Sequence, residues 1–150
     1  MKFSLYGIIA ILISLIAGTI VVTQPDVSAQ SAISITGLAT LQQMAQDSVP
    51  YTVAVADYKP IFLEFYANWC TTCQSMAPII SQLHQNYGEA VDFVMVNIDD
   101  PQYTKILQQY QVTGVPQITI LDSYHQVNWS EVGKIPASIL NSVVNNLSST

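Results

Sequence analysis

The order of apolar segments predicts an α/β fold, a small mixed central sheet with helices on both faces. Three observations carry that expectation. Two apolar runs, Ile61-Phe62-Leu63-Glu64-Phe65-Tyr66 and Val91-Asp92-Phe93-Val94-Met95-Val96-Asn97-Ile98, bracket a stretch with helical periodicity, as in a strand–helix–strand unit. Two further runs, Gln117–Leu121 and Val127–Val132, are joined by Asp122-Ser123-Tyr124-His125, a turn-forming segment suited to a hairpin. Finally, the only two cysteines of the 150 residues stand in Trp69-Cys70-Thr71-Thr72-Cys73, between the first apolar run and the helical stretch.

Each segment has its own reason. From Phe3 to Val22, twenty residues carry no charge. At about 1.5 Å per residue, a helix of that length spans the ~30 Å hydrocarbon core of a bilayer. Residues 1–23 therefore read as a transmembrane anchor. A cleaved signal peptide is the alternative: Val27-Ser28-Ala29 would suit cleavage after Ala29, although cleavable apolar cores usually run only about 7–15 residues. Lys2 precedes the run and Asp26 is the first charge after it, so the positive-inside tendency keeps the N-terminus cytoplasmic and exports the rest. Residues 24–37, with Pro25, Asp26 and a Ser/Ala/Gln-rich stretch, read as a linker, and residues 38–150 as the folded domain.

Within that domain, Leu38, Leu41, Met44 and Ala45 predict a short helix over 38–44, whereas Val49 to Asp57 fits a strand or a helical turn equally well. Pro78 falls inside the helical stretch 70–87 and should kink it. Either Asp99 or Asp100 can cap a helix carrying Tyr103, Ile106, Leu107 and Tyr110, with Pro101 in its first turn. Gly133 ends the last strand, and Ile135 to Leu147 predicts a closing helix. About a hundred residues suffice for one core.

Charge narrows the function. The chain has no arginine, a formal net charge of −6 and a pI near 4.4, which excludes a phosphate-binding surface and hence nucleic acid as a partner. Two cysteines three apart suit thiol–disulfide exchange, in which one thiolate attacks a partner disulfide and the second thiol resolves the mixed disulfide. The same spacing occurs in zinc and iron–sulfur sites, and in static disulfides. His84 and His125, the only histidines, lack ligand spacing to the pair, so no metal and no cofactor is expected. Cys70 is the candidate attacking thiolate, favoured by the amide donors and dipole of a helix N-terminus. Cys73, one turn on, is the candidate resolving thiol. Glu64 is a lone carboxylate in an apolar strand. Buried, it would have a raised pKa suited to accepting the Cys73 proton; turned outward by strand alternation, it would be a solvated surface residue.

The motifs Leu63-Glu64-Phe65-Tyr66-Ala67-Asn68-Trp69-Cys70-Thr71-Thr72-Cys73-Gln74-Ser75-Met76-Ala77-Pro78, Phe93–Asp99 and Gly114-Val115-Pro116 resemble the thioredoxin superfamily, over roughly residues 50–147. Within it the chain looks most like the membrane-tethered thylakoid proteins of the TxlA type. The resemblance implies a thioredoxin fold and a disulfide reductase held on a membrane and facing the lumen or periplasm. Implied partners are a DsbD/CcdA-type transmembrane electron donor and disulfide-containing clients such as apocytochromes during cytochrome complex assembly. It also implies that Glu64 is the buried acid and that Pro116 is a cis proline opposite the cysteines. Pro116 would expose the Val115 backbone to pair with a client strand, Gly114 would permit the turn before it, and Trp69 would form an apolar rim. An oxidant or isomerase, and a non-catalytic client-binding adaptor, are the alternatives. Two departures stand out. Thr71-Thr72 replaces the usual Gly-Pro between the cysteines, which bears on the redox potential. Met95 replaces a strand lysine near the buried acid, so burial alone should raise the Glu64 pKa. The sequons at Asn128 and Asn146 read as chance.

Overall fold

Residues 27–147 are described by a computed structural model, with side chains from Thr36 onward. The predicted anchor over 1–23 lies outside the described residues. Among the described residues, no helix is long and apolar enough to cross a membrane.

Four strands form one sheet in the order β2-β1-β3-β4: β1 Ile61–Tyr66, β2 Asp92–Asn97, β3 Gln117–Leu121 and β4 Val127–Val132. β1 is central and buried on both faces, which is why its sequence is a nearly continuous apolar run rather than an alternating one. It pairs in parallel with β2, from Ile61↔Asp92 to Tyr66↔Asn97, and antiparallel with β3, from Ile61↔Leu121 to Phe65↔Gln117. The parallel pair needs a crossover, supplied by helix α3, Thr71–Tyr87. β4 closes the hairpin at the exposed edge, with a register shift at Ile120/Leu121.

Strand alternation divides the core in two. Phe62, Tyr66, Phe93, Met95, Ile118 and Ile120 face α3, the N-terminal helix α1 (Val27–Asp47) and the closing helix α5 (Ala137–Leu147). Phe62 stacks on Phe93 at 4.9 Å, and His84 stacks on the same ring at 4.8 Å, so this histidine is a packing residue. Ile61, Leu63, Phe65, Val94, Val96 and Leu121 face the short helices α2 (Tyr51–Ala54) and α4 (Thr104–Gln109). There Tyr51 and Tyr110 share a hydroxyl hydrogen bond of 3.0 Å.

Several expectations change in detail. The helix predicted over 38–44 runs from Val27 to Asp47, so the segment read as a linker is helical from Val27 on; its Ser, Ala and Gln residues oppose no helix. Gly37 is the contact that seats this helix: a methyl group there would lie 2.5 Å from the Gln74 carbonyl oxygen of α3. The ambiguous 49–57 segment is the helical turn α2, with the Val49 N–H donating to Phe93 O at 3.0 Å. The helix read over 70–87 spans Thr71–Tyr87, with Pro78 inside it. The helix after Pro101 begins as a 3-10 turn, Pro101–Tyr103, capped by Asp100, whose carboxylate accepts from Gln102 N at 3.0 Å.

Candidate active site

β1 ends at Tyr66, and a tight turn carries the chain into α3, with the Cys70 N–H donating to Ala67 O at 3.1 Å. Gln74 Nε2 braces the turn by donating to Asn68 O at 2.6 Å. Cys70 is the N-cap of α3, in extended backbone geometry, and its Sγ accepts the Cys73 N–H at 3.0 Å. A helix leaves its first amide donors without internal partners, and sulfur here fills the place usually taken by a serine or aspartate oxygen. Cys70 and Cys73 form a disulfide with Cα atoms 5.3 Å apart. Cys73 is fully buried and Cys70 is 5 % exposed, the order of accessibility expected of a resolving and an attacking cysteine. Among the described residues, no three His, Cys, Asp or Glu side chains converge as metal ligands.

Glu64 is completely buried. On β1 it stands between Met95 of β2 and Ile118 of β3, and neither carboxylate oxygen has a hydrogen-bond partner. With no cation beside it, burial alone pushes the carboxyl up to about 8. Alternation puts Glu64 on the same sheet face as Phe62 and Tyr66, within the core that contains Cys73. Tyr66 is itself raised, first by burial and then by the charge of Glu64.

The Val115–Pro116 bond is cis. Ladder pairing ends at Phe65↔Gln117, so Val115 and Pro116 adjoin the end of β1 from which the Cys70 turn departs. The Gly133 N–H donates to Pro116 O at 2.7 Å and ties this loop to the end of β4. A methyl group on Gly114 would lie 3.3 Å from Val132 Cγ1, so the turn is built close against that strand. Trp69 is 64 % exposed, and its Nε1 donates to Asp99 Oδ2 at 2.9 Å. Asp99 is the residue sequence reasoning misassigned as an alternative helix cap. It holds the rim tryptophan, a pairing across 30 positions that no local pattern announces.

A helix-capping disulfide at the end of a central strand, with a cis proline in the loop adjoining that same end, is the architecture of thioredoxin-fold proteins. The family model "Thioredoxin" matches residues 40–146, and the chain belongs to the thioredoxin family. It is 42 % identical to the thiol:disulfide interchange protein TxlA of Synechococcus elongatus, over 68 % of this chain and 53 % of that one. It is 33 % identical to the chloroplastic thioredoxin-like protein HCF164 of Arabidopsis thaliana, over 72 % of this chain and 41 % of that one. The chain thus spans about half the length of these relatives, or less. Among solved structures, the Drosophila melanogaster thioredoxin Deadhead shares the fold at TM-score 0.56 and 24 % identity, covering 64 % of this chain and 88 % of that one.

Proposed function

We propose that this protein is a thiol–disulfide oxidoreductase acting as a membrane-tethered reductant of disulfides in exported or lumenal proteins. The observation that carries the exchange chemistry is the Cys70 sulfur at the helix N-cap, accepting the Cys73 amide at 3.0 Å; the reducing direction rests on the family resemblance. In the reduced protein that donor and the helix dipole favour a Cys70 thiolate. The thiolate attacks one client sulfur, and the other client sulfur leaves and is protonated. Cys73 then passes its proton to the Glu64 carboxylate and attacks Cys70 Sγ. The client's second thiol is released, and Cys70–Cys73 becomes the disulfide. Two electrons reach the client. Val115 offers its backbone for strand pairing with the client, the Gly114 turn and cis Pro116 present it, and Trp69 forms the rim.

The printed name of TxlA, a thiol:disulfide interchange protein, supports the exchange chemistry. The uncharged run 3–22 supports the tether, with the domain on the lumenal or periplasmic side of a thylakoid or plasma membrane. In this reading a DsbD/CcdA-type membrane donor re-reduces the pair, and apocytochromes are among the clients. Three measurements test it. Cys70→Ser should reduce insulin-disulfide turnover to background, and Cys73→Ser should accumulate mixed disulfides on Cys70. A redox titration should give a reducing potential; a value near about −120 mV would make the protein an oxidant instead.

A further inference from the structure

α1 runs alongside α3 in the same direction. Gly37 lies against Gln74 near the start of α3, while Thr40, Gln43 and Asp47 line a cleft with Ser81, His84 and Gln85 toward its end. The N-terminus of α3 is the dithiol end of the molecule, since Cys70 caps it. The chain upstream of Gly37 therefore enters the domain from the dithiol end. From Gly37 back to Val27 the helix adds about 15 Å, whereas α3 extends only about 4.5 Å beyond Gln74 to its first residue, at 1.5 Å per residue. Between the uncharged run ending at Val22 and the start of α1 stand four residues, 23–26, so the step from Val22 to Val27 reaches at most about 18 Å even fully extended. That is too short to carry the anchor round to the opposite end of the sheet, roughly 20 Å away along the strands.

We propose that α1 is an arm that turns the Cys70–Cys73 end toward the bilayer, so that the surface formed by Trp69, Cys70 and Val115-Pro116 meets a thiol pair presented at the membrane surface by a membrane protein. The proposal rests on the anchor reading of residues 3–22. A dithiol so presented gives two electrons and two protons to Cys70–Cys73 and becomes a disulfide; the reverse exchange serves a membrane-bound disulfide client. The opposite end of the domain, where Trp129 pairs with Ile120 and Tyr58 and Tyr124 are exposed, points into the aqueous phase.

The two tryptophans of the chain mark the two ends and make the test label-free. The full chain is reconstituted into phosphatidylcholine vesicles with and without a nitroxide-headgroup lipid. Trp129→Phe then reports Trp69 alone, and Trp69→Phe reports Trp129 alone. Wild type minus Trp69→Phe gives the Trp69 share without touching Trp129. The nitroxide lipid should quench Trp69 at least threefold more than Trp129. Equal or reversed quenching, in protein that floats with the vesicles, would overturn the orientation while leaving the anchor intact. Failure to float would overturn the anchor and the orientation with it.

Discussion

One strand shows two kinds of core. The β1 face formed by Ile61, Leu63 and Phe65 is apolar and packs with Val94, Val96 and Leu121. Its one ionisable cross-strand neighbour is paired: Asp92 meets Lys59 at 3.6 Å, while the neutral Thr119 and Gln117 bond to Ser130 Oγ and Tyr110 O. The opposite face, formed by Phe62, Glu64 and Tyr66, is just as inaccessible but holds a carboxyl with no partner. Both faces satisfy the backbone through the same ladders, so the difference lies in side chains alone. A buried unpartnered carboxyl is costly in a core built only for stability. Here it sits on the face under the dithiol helix, where the proposed mechanism moves a proton. The apolar face holds the sheet together; in the proposed mechanism the acid-bearing face gives up stability for chemistry.

The comparison is broken most severely from the apolar side. Leu63→Ala should destabilise the domain by about 2–5 kcal/mol, read by denaturant unfolding, while turnover per folded molecule stays within about twofold. A large loss of turnover in the folded variant would mean the two faces are not separable.

Glu64→Gln should do the opposite. Resolution of the mixed disulfide should slow by roughly 10²-fold and lose its pH inflection, while the first attack by Cys70 changes little, as followed by stopped-flow with a client disulfide. The stability effect has a definite sign. The folded carboxyl titrates at about 8 against an ordinary value near 4.5, so the folded state binds the proton more tightly. The stability Glu64 contributes is fully present below about pH 4.5 and is lost as pH rises through about 8. The stability of the Gln variant relative to wild type should therefore rise between pH 5 and pH 8, in paired urea titrations of the oxidised proteins.

Met95→Lys sharpens the comparison more gently. A cation at the register neighbour of Glu64 favours the ionised carboxylate, so the inflection in resolution should move about one pH unit toward acid. The smallest effect belongs to the rim. Asp99→Ala removes the partner of Trp69 at an exposed position and should cost about 0.5–1.5 kcal/mol at most, with client KM rising a few-fold and kcat unchanged.

Much of this was legible because the strands are short, bounded by Pro or Gly, and buried or half-buried in clear patterns. β1, β3 and β4 have the predicted bounds, and Cys70 stands at the predicted helix start. The buried setting of Glu64 and the cis Pro116 also agree with expectation, but both followed from the family resemblance, because alternation by itself allows a solvent-facing acid and most X–Pro bonds are trans. What was misread depended on tertiary contact. α1 has weak amphipathic character and holds its place through the close approach of Gly37 to Gln74, which no periodicity encodes. Asp99 looked like a cap because Asp100 beside it is one, and only the fold brings Trp69 within its reach.

The sulfur at the start of α3 gives that helix an N-terminus that changes with oxidation state. In the disulfide, the atom accepting the Cys73 amide is neutral; in the dithiol form it can carry a full negative charge, a far stronger acceptor at a helix start. Reduction should thus tighten the first turn of α3, and oxidation loosen it. The same hydrogen bond also favours the reduced form, and so works against the protein's strength as a reductant. The isolated domain should therefore melt at a higher temperature reduced than oxidised wherever this contact outweighs the chain restriction imposed by so short a disulfide loop, and calorimetry on the two redox forms would weigh one against the other.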